Sequence, residues 1–515
     1  MARQRIPLVG SPINRNENQT LGSTTLYDQR FTNCFPETTK NPITGSGKLV
    51  LVKRAGWGSG GATDAGASYY ATTGGCTWSG YSTGPRAVFC FINGTTLKVM
   101  SWNSTASIVG ATISNITAGL QYLSETLVSN GGALGSHLTL VAKKSTDSLP
   151  HAWYLREGDA SWTEITDVDF PANIPVTPLT LRGGMVHMDG YAFVMDSIGQ
   201  IWNSDLNSLS AWTSTSFINT SIVPDGGVGL ARTKNLVVAF GTSSIEFFQN
   251  AGNATGSPLQ RISSATIRIG ALFISGYETI KQVGDDIYFI GVPSDSGAPG
   301  VYVINGTSVK KISNAAIDKR IYAEALNVGI AGVVGIFGQK HLFLTVSASH
   351  MATYGTPVYC LDTGLWWYYI DSGAPIATGG NVYNSCATLN SADSYAERVW
   401  FPTDYDQGYG QASGTALTMS VQTVAIDHGT DNLKECTAFR LIADTQTVSG
   451  NASVSYSDND YVSFSTAKTI DMTQKQKKLD VGLGWFRSRA WKIVETINRP
   501  FRGEAFEVEW EESEE

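Results

Sequence analysis

The sequence predicts an all-β protein with a β-propeller-like body and a C-terminal β-sandwich domain. Three observations predict this fold class. Charged residues make up only 16% of the 515 residues and 54 residues are glycine, a composition typical of short strands joined by turns rather than of a helix-rich enzyme. Short apolar strands recur between about residues 46 and 400. After about residue 401, longer alternating strands with charged turns follow.

The propeller is predicted from the spacing of the apolar strands. Six of them begin near residues 87, 138, 191, 236, 286 and 341. The steps of about 45 to 55 residues equal the length of one four-stranded blade. Some of the strands are followed by a short turn and a second strand, as in a β-hairpin. We therefore predict six blades, with seven as the alternative. A sandwich array of unrelated hairpins is the competing interpretation.

Three domains are predicted along the chain. Residues 1–45 are polar and turn-rich, and they are interpreted as an extended N-terminal arm that needs a surface to dock on. Residues 46–400 form the propeller-like body, and residues 401–515 form the C-terminal sandwich. One helix is predicted after Ser313-Asn314, because these residues can cap it and Ile317, Ile321 and Ala325 make one apolar stripe.

The charge and the cysteines exclude several classes of protein. A net charge of −8, from 36 basic and 44 acidic residues, provides no overall positive field for holding nucleic acid. The six cysteines include no C-x-x-C pair and the six histidines form no metal-binding pattern, so no disulfide framework, metal or cofactor is predicted. Reduced, buried thiols fit a protein made in a cytosol. The apolar runs are too short for a signal-peptide core or a membrane span.

Two motifs resemble catalytic or binding elements. Gly80 to Gly84 matches the G-x-S-x-G nucleophile elbow, which needs a strand before the serine and a helix after it. Pro85 and a strand follow instead, so the match is interpreted as chance. The aromatic run Trp366 to Tyr369 fits a stacking platform for sugars or bases. A blade strand with two aromatic side chains on each face is the simpler interpretation.

The acidic pairs and one turn motif each allow a functional and a structural interpretation. The pair Asp285-Asp286, or Asp404 with Asp406, could serve glycoside cleavage. Solvated turn residues explain both pairs more simply. The segment 457–464 faintly resembles the aspartate turns of sialidase-like propellers, with Asn459 at the aspartate position. Such turns are structural, because the side chain holds the backbone of the hairpin.

The C-terminal segment 485–492 is the candidate for partner binding. On a single strand, Trp485, Arg487, Arg489 and Trp491 would share one face. Tryptophan and arginine are enriched in buried protein–protein contacts. The alternative is a plain amphipathic strand whose arginines extend to solvent.

Several segments resemble one protein family. Residues from Val237 to Phe248 are similar to the central signature of the tail-hub proteins of short-tailed phages, also called packaged-DNA stabilisation or tail nozzle proteins. The similarity is close over residues 235–325 and loose elsewhere. Thr32 to Glu37 and Trp485 to Trp491 fall where the family has similar segments. The matching residues are packing and turn residues, not chemical groups.

This resemblance implies a structural, non-enzymatic virion protein, made in the cytoplasm of the bacterial host and located in the tail. It implies a homo-hexameric ring below the portal and its adaptor, with the C-terminal domain and the arm facing the adaptor. The implied partners are the portal–adaptor ring, a tail spike or fibre, and a plug or needle protein. DNA would pass through the channel without specific binding. A carbohydrate-active or carbohydrate-binding tail propeller stays open as the alternative function.

Overall fold

The computed structural model describes the following residues, to which all structural statements refer: 2–9, 30–40, 47–54, 57–59, 71–103, 105–117, 121–130, 135–174, 179–220, 223, 225–274, 278–295, 297–323, 328–346, 355–370, 376–379, 387–389, 399–402, 416–480 and 482–513. Asp404, Asp406 and Ala325, which the sequence analysis named, lie outside these residues.

The first strands come from the N-terminal part of the chain: β1 Ala2–Pro7, β2 Arg30–Thr32, β3 Cys34–Lys40, β4 Gly47–Lys53 and β5 Trp57–Ser59. The next four groups each form one sheet of consecutive strands: β6 Ala71–Trp78, β7 Arg86–Asn93, β8 Thr96–Asn103 and β9 Thr105–Ile108; β10 Tyr122–Val128, β11 Gly135–Lys143, β12 Pro150–Arg156 and β13 Thr163–Glu164; β14 Leu181–Met188, β15 Tyr191–Asp196, β16 Gln200–Ser204 and β17 Trp212–Asn219; β18 Gly227–Thr233, β19 Leu236–Gly241, β20 Ile245–Asn250 and β21 Leu259–Arg261.

The remaining elements follow in chain order: β22 Ile269–Ala271, β23 Ile280–Val283, β24 Asp286–Pro293, β25 Gly300–Asn305, β26 Ser308–Lys311, α1 Ala315–Ala323, β27 Gly329–Ile336, β28 Gln339–Thr345, β29 Thr356–Cys360, β30 Leu365–Tyr369, β31 Ile376–Gly379, β32 Ala387–Leu389, β33 Val399–Pro402, β34 Met419–Gln422, β35 Lys434–Ala443, β36 Asn451–Ser457, β37 Lys468–Asp471, β38 Lys477–Leu479, β39 Trp485–Phe486, β40 Ala490–Glu495 and β41 Arg502–Glu512. In the described ranges, Pro171–Asn173 and Ser263–Ala265 are short 3₁₀ helices.

The predicted fold class is confirmed: the described part of the chain is all-β, with a propeller of five four-stranded sheets. Four of them are β6–β9, β10–β13, β14–β17 and β18–β21, and the fifth joins β31, β32 and β33 to β5. The predicted number of six or seven blades differs from this count. The reason is that β22–β26 form a five-stranded sheet and β27–β30 belong to a nine-stranded sheet.

The innermost strands contact one another around a closed ring. Along the chain, β6 contacts β10, then β14, β18, β23, β27 and β31 follow, and β31 returns to β6. The six apolar strands predicted from sequence each pair with the innermost strand of their group. Because β5 pairs with β33 at the outer edge of this sheet, an N-terminal strand completes the last blade, while β31 closes the ring by its contact with β6.

Glycine allows the innermost strands to approach closely. A Cβ atom on Gly74 of β6 would lie 2.0 Å from the carbonyl oxygen of Gln121, in the adjacent blade. A Cβ on Gly227 of β18 would lie 2.2 Å from the carbonyl oxygen of Asp196. Real Cβ atoms cannot occupy such positions, because the nearby atoms are backbone atoms that cannot rotate away. The high glycine content therefore has a steric function near the propeller axis.

The C-terminal region is a pair of sheets built from both ends of the chain. The seven-stranded sheet has the order β3-β4-β41-β35-β38, with β1 paired to β41 and β39 paired to β35. The nine-stranded sheet has the order β27-β28-β29-β30-β2-β34-β40-β36-β37. Strands β1, β2 and β3 come from the predicted arm, and in this structure they dock on the chain itself. The three predicted domain boundaries stay a prediction.

One apolar core fills the space between these sheets and extends into β27–β30. Phe439 of β35 packs against Trp491 of β40, with ring centroids 4.7 Å apart, and against Phe506 of β41 at 5.3 Å. Phe35 of β3 contacts Trp367 of β30 at 5.6 Å. This continuous core includes residues of both sheets, and within the nine-stranded sheet it extends from β34, β36 and β40 to β27–β30.

The predicted helix is confirmed as α1. The side chain of Asn314 accepts a hydrogen bond from the Ile317 amide at 3.0 Å, as an N-cap residue does. Ile317 and Ile321 are buried on one side of the helix. The side chain of Asp318 pairs with Lys311 at 2.6 Å.

Candidate functional site

The predicted partner-binding segment does not form one strand. Trp485 lies in β39, which pairs with β35 in the seven-stranded sheet, whereas Trp491 lies in β40 of the nine-stranded sheet. The chain bends between these strands, so the four side chains do not share a face. Trp485 is 51% exposed and Arg487 is exposed, but Arg489 and Trp491 are fully buried.

Arg489 is bound entirely within the chain. Its Nε and Nη2 atoms donate hydrogen bonds to the two carboxylate oxygens of Asp458 at 2.7 and 2.8 Å. Nη1 donates to the carbonyl of Leu483, and Nη2 also donates to the carbonyl of Trp485. The guanidinium group lies 3.8 Å from the ring centroid of Tyr456. These contacts make Arg489 a positioning residue that fixes the segment preceding it.

Trp491 is part of the core rather than of a surface. Its ring packs against Phe439 and Tyr456, and its amide donates to the hydroxyl of Thr423 at 2.9 Å. Arg489 and Trp491 are therefore buried within the chain in this structure, because strand alternation does not continue through the bend. A partner-binding role for Trp485, Arg487, Arg489 and Trp491 stays a prediction.

Asn33 forms a polar junction that sequence reasoning missed. It is buried, with a positive φ of 55°, a left-handed conformation that asparagine tolerates better than most residues. Its side-chain oxygen accepts hydrogen bonds from Arg54 Nε at 2.9 Å and from the Ile370 amide at 3.0 Å. Its Nδ2 donates to the carbonyl of Thr418 at 2.9 Å. One side chain thus connects β4, the end of β30 and the segment before β34. An asparagine between two short strands was the only signal in the sequence.

A second buried polar contact joins the two sheets of the sandwich. Lys53 Nζ lies 2.7 Å from a carboxylate oxygen of Glu495, and both side chains are almost fully buried. Burial lowers the pKa of Lys53 and raises the pKa of Glu495, while their mutual attraction opposes both shifts. The backbone of Ile497 also bonds to both side chains. The 442 residues that separate the pair in sequence hid it from sequence analysis.

The propeller axis contains a cavity of about 400 Å³, lined by residues of the innermost strands. Lys281 of β23 pairs with Glu278 at 2.8 Å and donates to the carbonyl of Gly75 in β6. Burial raises the pKa of Glu278, and Lys281 opposes this shift. The pKa of His187 is lowered to about 4 by burial and by the neighbouring Arg232. Through its hydrogen bond to Gly75, Lys281 connects β23 with β6, two innermost strands that are not neighbours in the ring.

The catalytic and binding motifs are explained by local structure. Ser82 lies in an exposed turn, where its amide and hydroxyl both donate to the carboxylate of Glu157. In β30, Trp367 is buried and donates to His341 Nδ1 at 3.1 Å, and Trp366 donates to the carbonyl of Ile312. The aromatic run thus forms a packed strand, as the simpler interpretation expected, although that strand lies in the nine-stranded sheet and not in one of the five four-stranded blades.

The acidic and turn motifs are also structural. Asp286 accepts a hydrogen bond from Asn305 at 2.6 Å. Asn459 accepts from the Ser463 amide at 3.0 Å and thus holds its hairpin turn.

Five of the six cysteines lie in the described ranges. Cys34, Cys76, Cys90, Cys360 and Cys436 are free thiols there. In the same ranges, no set of three or more His, Cys, Asp or Glu side chains is grouped as metal ligands. The helices found in the described residues are too short or too polar to cross a membrane.

The central region of the chain is similar to known proteins. Residues 161–394 match the family model described as "Bacteriophage P22 Gp10, beta-propeller". A curated relative, the tail hub protein gp10 of Salmonella phage P22, is 29% identical over 153 residues. That alignment spans 28% of this chain and 32% of the relative's length. The resemblance inferred from the sequence is confirmed by both findings.

Solved structures share only a general likeness. A puromycin-hydrolysing peptidase of Mycobacterium tuberculosis has a TM-score of 0.34 at 10% identity, covering 72% of this chain and 61% of that protein. The propeller domain of a Pyrococcus furiosus protease has a TM-score of 0.32 at 12% identity, covering 74% and 98%. An exo-β-1,3-galactanase of Phanerochaete chrysosporium has a TM-score of 0.25 at 8% identity, covering 89% and 100%. Scores this low carry no argument about activity.

Proposed function

We propose that this protein is a structural hub of a short phage tail, because residues 161–394 match the family model of a phage tail propeller. It closes the head below the portal–adaptor ring, retains the packaged DNA and conducts it at ejection. The observation that carries this proposal is the family match together with the 29% identical tail hub protein. The protein then acts mechanically and not as an enzyme.

The side chains at the propeller axis support a conduit formed between copies of the chain. Lys281 of β23 reaches across the axial cavity, where it pairs with Glu278 and donates to the carbonyl of Gly75 in β6. A side chain that spans the axis leaves no open passage for a duplex there, so a ring of copies, proposed to be a hexamer, would form the channel. A net charge of −8 suits a passage to which DNA does not adhere.

The partners proposed for the ring are the portal–adaptor complex, a spike or fibre, and a plug or needle protein. The contact energy would come from repeated interfaces rather than from one binding pocket. The C-terminal sandwich supports a docking role, because its polar junctions hold the two chain ends in a fixed arrangement.

Complementation tests this function. A phage with an interrupted gene for this protein is grown with and without the protein supplied in trans, and the particles are imaged and assayed for DNA. We expect particles without the protein to lack a distal tail and to lose DNA. Native mass measurement of the protein with its adaptor ring should show six copies. A monomer that hydrolyses glycans, together with normal DNA retention in the mutant, would contradict the proposal.

A further inference from the structure

The outer face of the seven-stranded sheet carries a row of acidic side chains along β41. Most of this row is neutralised within the chain. Glu507 pairs with Arg3 of β1, and Glu509 lies 3.2 Å from Arg440 of β35. Each guanidinium group comes from a strand adjacent to β41. Both ion pairs are diagonal in the register of the sheet, because Arg3 lies opposite Glu509 and Arg440 lies opposite Glu507.

The next position along β41 is not neutralised in this way. Glu511 lies directly opposite Glu435 of β35, and Glu435 lies directly opposite Trp485 of β39. All three side chains are exposed. Side chains directly opposite on an antiparallel pair have Cβ atoms about 5 Å apart, and like charges there repel. Within the described ranges, neither carboxylate forms an ion pair or a side-chain hydrogen bond.

The backbone that carries the indole ring of Trp485 is held in place by buried neighbours. The neighbouring Phe486 is buried, and the carbonyl of Trp485 accepts a hydrogen bond from the buried Arg489. The ring itself is 51% exposed. A cation over an exposed indole face gains a cation–π interaction. A carboxylate beside it can accept the paired N–H groups of a guanidinium.

We infer that the row Trp485–Glu435–Glu511 is a docking site for an arginine side chain on a partner protein of the tail. This inference rests on the proposed function and specifies the chemistry of one partner. A guanidinium group would relieve the repulsion between the two carboxylates and cover the exposed ring. It would repeat, between chains, the pairing that Arg3 and Arg440 make within the chain.

The occupant is a different protein rather than a second copy. Two copies that met through this row on both sides would place the same carboxylates opposite one another, and like charges repel. The arginines of β1 already pair with Glu504 and Glu507. A basic partner protein would not be repelled by this row, and its arginines would not already be paired within this chain.

The test titrates the full-length protein into fluorescently labelled hexa-arginine and measures anisotropy. We expect the Glu435→Gln/Glu511→Gln double variant to bind about tenfold more weakly than wild type, and Trp485→Ala to bind more weakly as well. The control variant Glu37→Gln/Asp285→Asn removes the same charge from other sites and should differ less than twofold from wild type. Hexa-lysine should bind more weakly than hexa-arginine, because ammonium groups lack the planar fork. Thermal melts check that each variant is folded.

Equal weakening by the double variant and by the control would overturn the site. Sedimentation gives an independent result: self-association of wild type that the double variant abolishes would assign the site to a second copy and overturn the inference. Failure of the complementation experiment leaves the peptide result unaffected, so the two proposals can fail separately. Tail incorporation together with identical peptide binding by all variants would refute only the docking site.

Discussion

The propeller and the sandwich use similar strands but connect them in opposite ways. Four of the propeller sheets consist of strands that are consecutive in sequence, from β6–β9 to β18–β21. In the sandwich, β41 pairs with β1 and β4 from the first 53 residues and with β35 from the C-terminal region. Local sheets need only short turns, whereas a sheet that joins the chain ends must overcome the closure of a very long loop. The sandwich therefore needs contacts that specify which distant segments of the chain pair with one another.

The contacts that provide this specificity are buried and polar. Lys53 with Glu495, Asn33 with Arg54, and Arg489 with Asp458 are the examples in and around the sandwich. The propeller ring depends more on steric fit, as Gly74 and Gly227 show. Substitutions at these positions should therefore act by different mechanisms.

The largest effect is expected when the ion pair between the sheets is broken. Lys53→Met leaves the carboxylate of Glu495 buried without its cation, which should lower the free energy of unfolding by about 3–5 kcal/mol. The double variant Lys53→Met/Glu495→Met should recover most of this loss, because no unpaired charge remains. Urea denaturation monitored by circular dichroism measures both. A double variant as unstable as the single one would show that the pair does not join the sheets as a unit.

A smaller loss is expected from Arg489→Ala, which removes four hydrogen bonds and the packing on Tyr456. We expect about 3 kcal/mol, since Asp458 remains partly exposed and can be solvated. Arg487→Ala is the matched control, two residues away on the surface, and should change stability by about 0.5 kcal/mol or less. Equal losses in the two variants would contradict the separation of buried and exposed arginines described above.

The propeller side of the comparison is tested by Gly74→Ala. The added methyl group meets a backbone oxygen of the adjacent blade, and such overpacking should cost about 2–3 kcal/mol. Gly94→Asn is the control, because a Cβ there has no neighbour within 4 Å and asparagine accepts the positive φ. Thermal unfolding of both variants is the measurement. If Gly74→Ala matched the control, close approach of the blades would not explain the glycine.

The smallest effect is a dependence on pH at the junction of β28 and β3. Burial lowers the pKa of His341 to about 3, against 6.5 when unfolded. A histidine with a depressed folded-state pKa favours folding above its unfolded pKa, and this contribution falls as the pH drops toward the folded value. At pH 5 the loss should be about 2 kcal/mol. His341→Gln should show a shallower loss of stability between pH 7 and pH 5, measured by urea denaturation, and an unchanged slope would argue against a neutral His341.

The sequence predicted the local features well. The six apolar strands, α1 and the turn at Asn459 depend on spacing and capping within a few residues, and all three are present. The prediction for Trp485 to Trp491 assumed that strand alternation continues, but the bend after Phe486 places the two ends in different sheets. The contacts of Lys53 with Glu495 and of Asn33 with Thr418 could not be predicted from the sequence, because these partners lie hundreds of residues away. The blade count differed because β22–β26 form a five-stranded sheet and because β2 from the N-terminal region joins β27–β30 to a larger sheet.

The position of β5 in the sheet of β31–β33 has a consequence during synthesis. About 340 residues separate β5 from β33, and ribosomes add roughly 5–20 residues per second. The N-terminal strand therefore waits about 20–70 s for its partner. Until β33 has been synthesised, the last four-stranded blade cannot be completed. A chain that ended before β33 would leave β5 and the outer edge of β32 without their partner strand, and such an unpaired edge invites association with other chains.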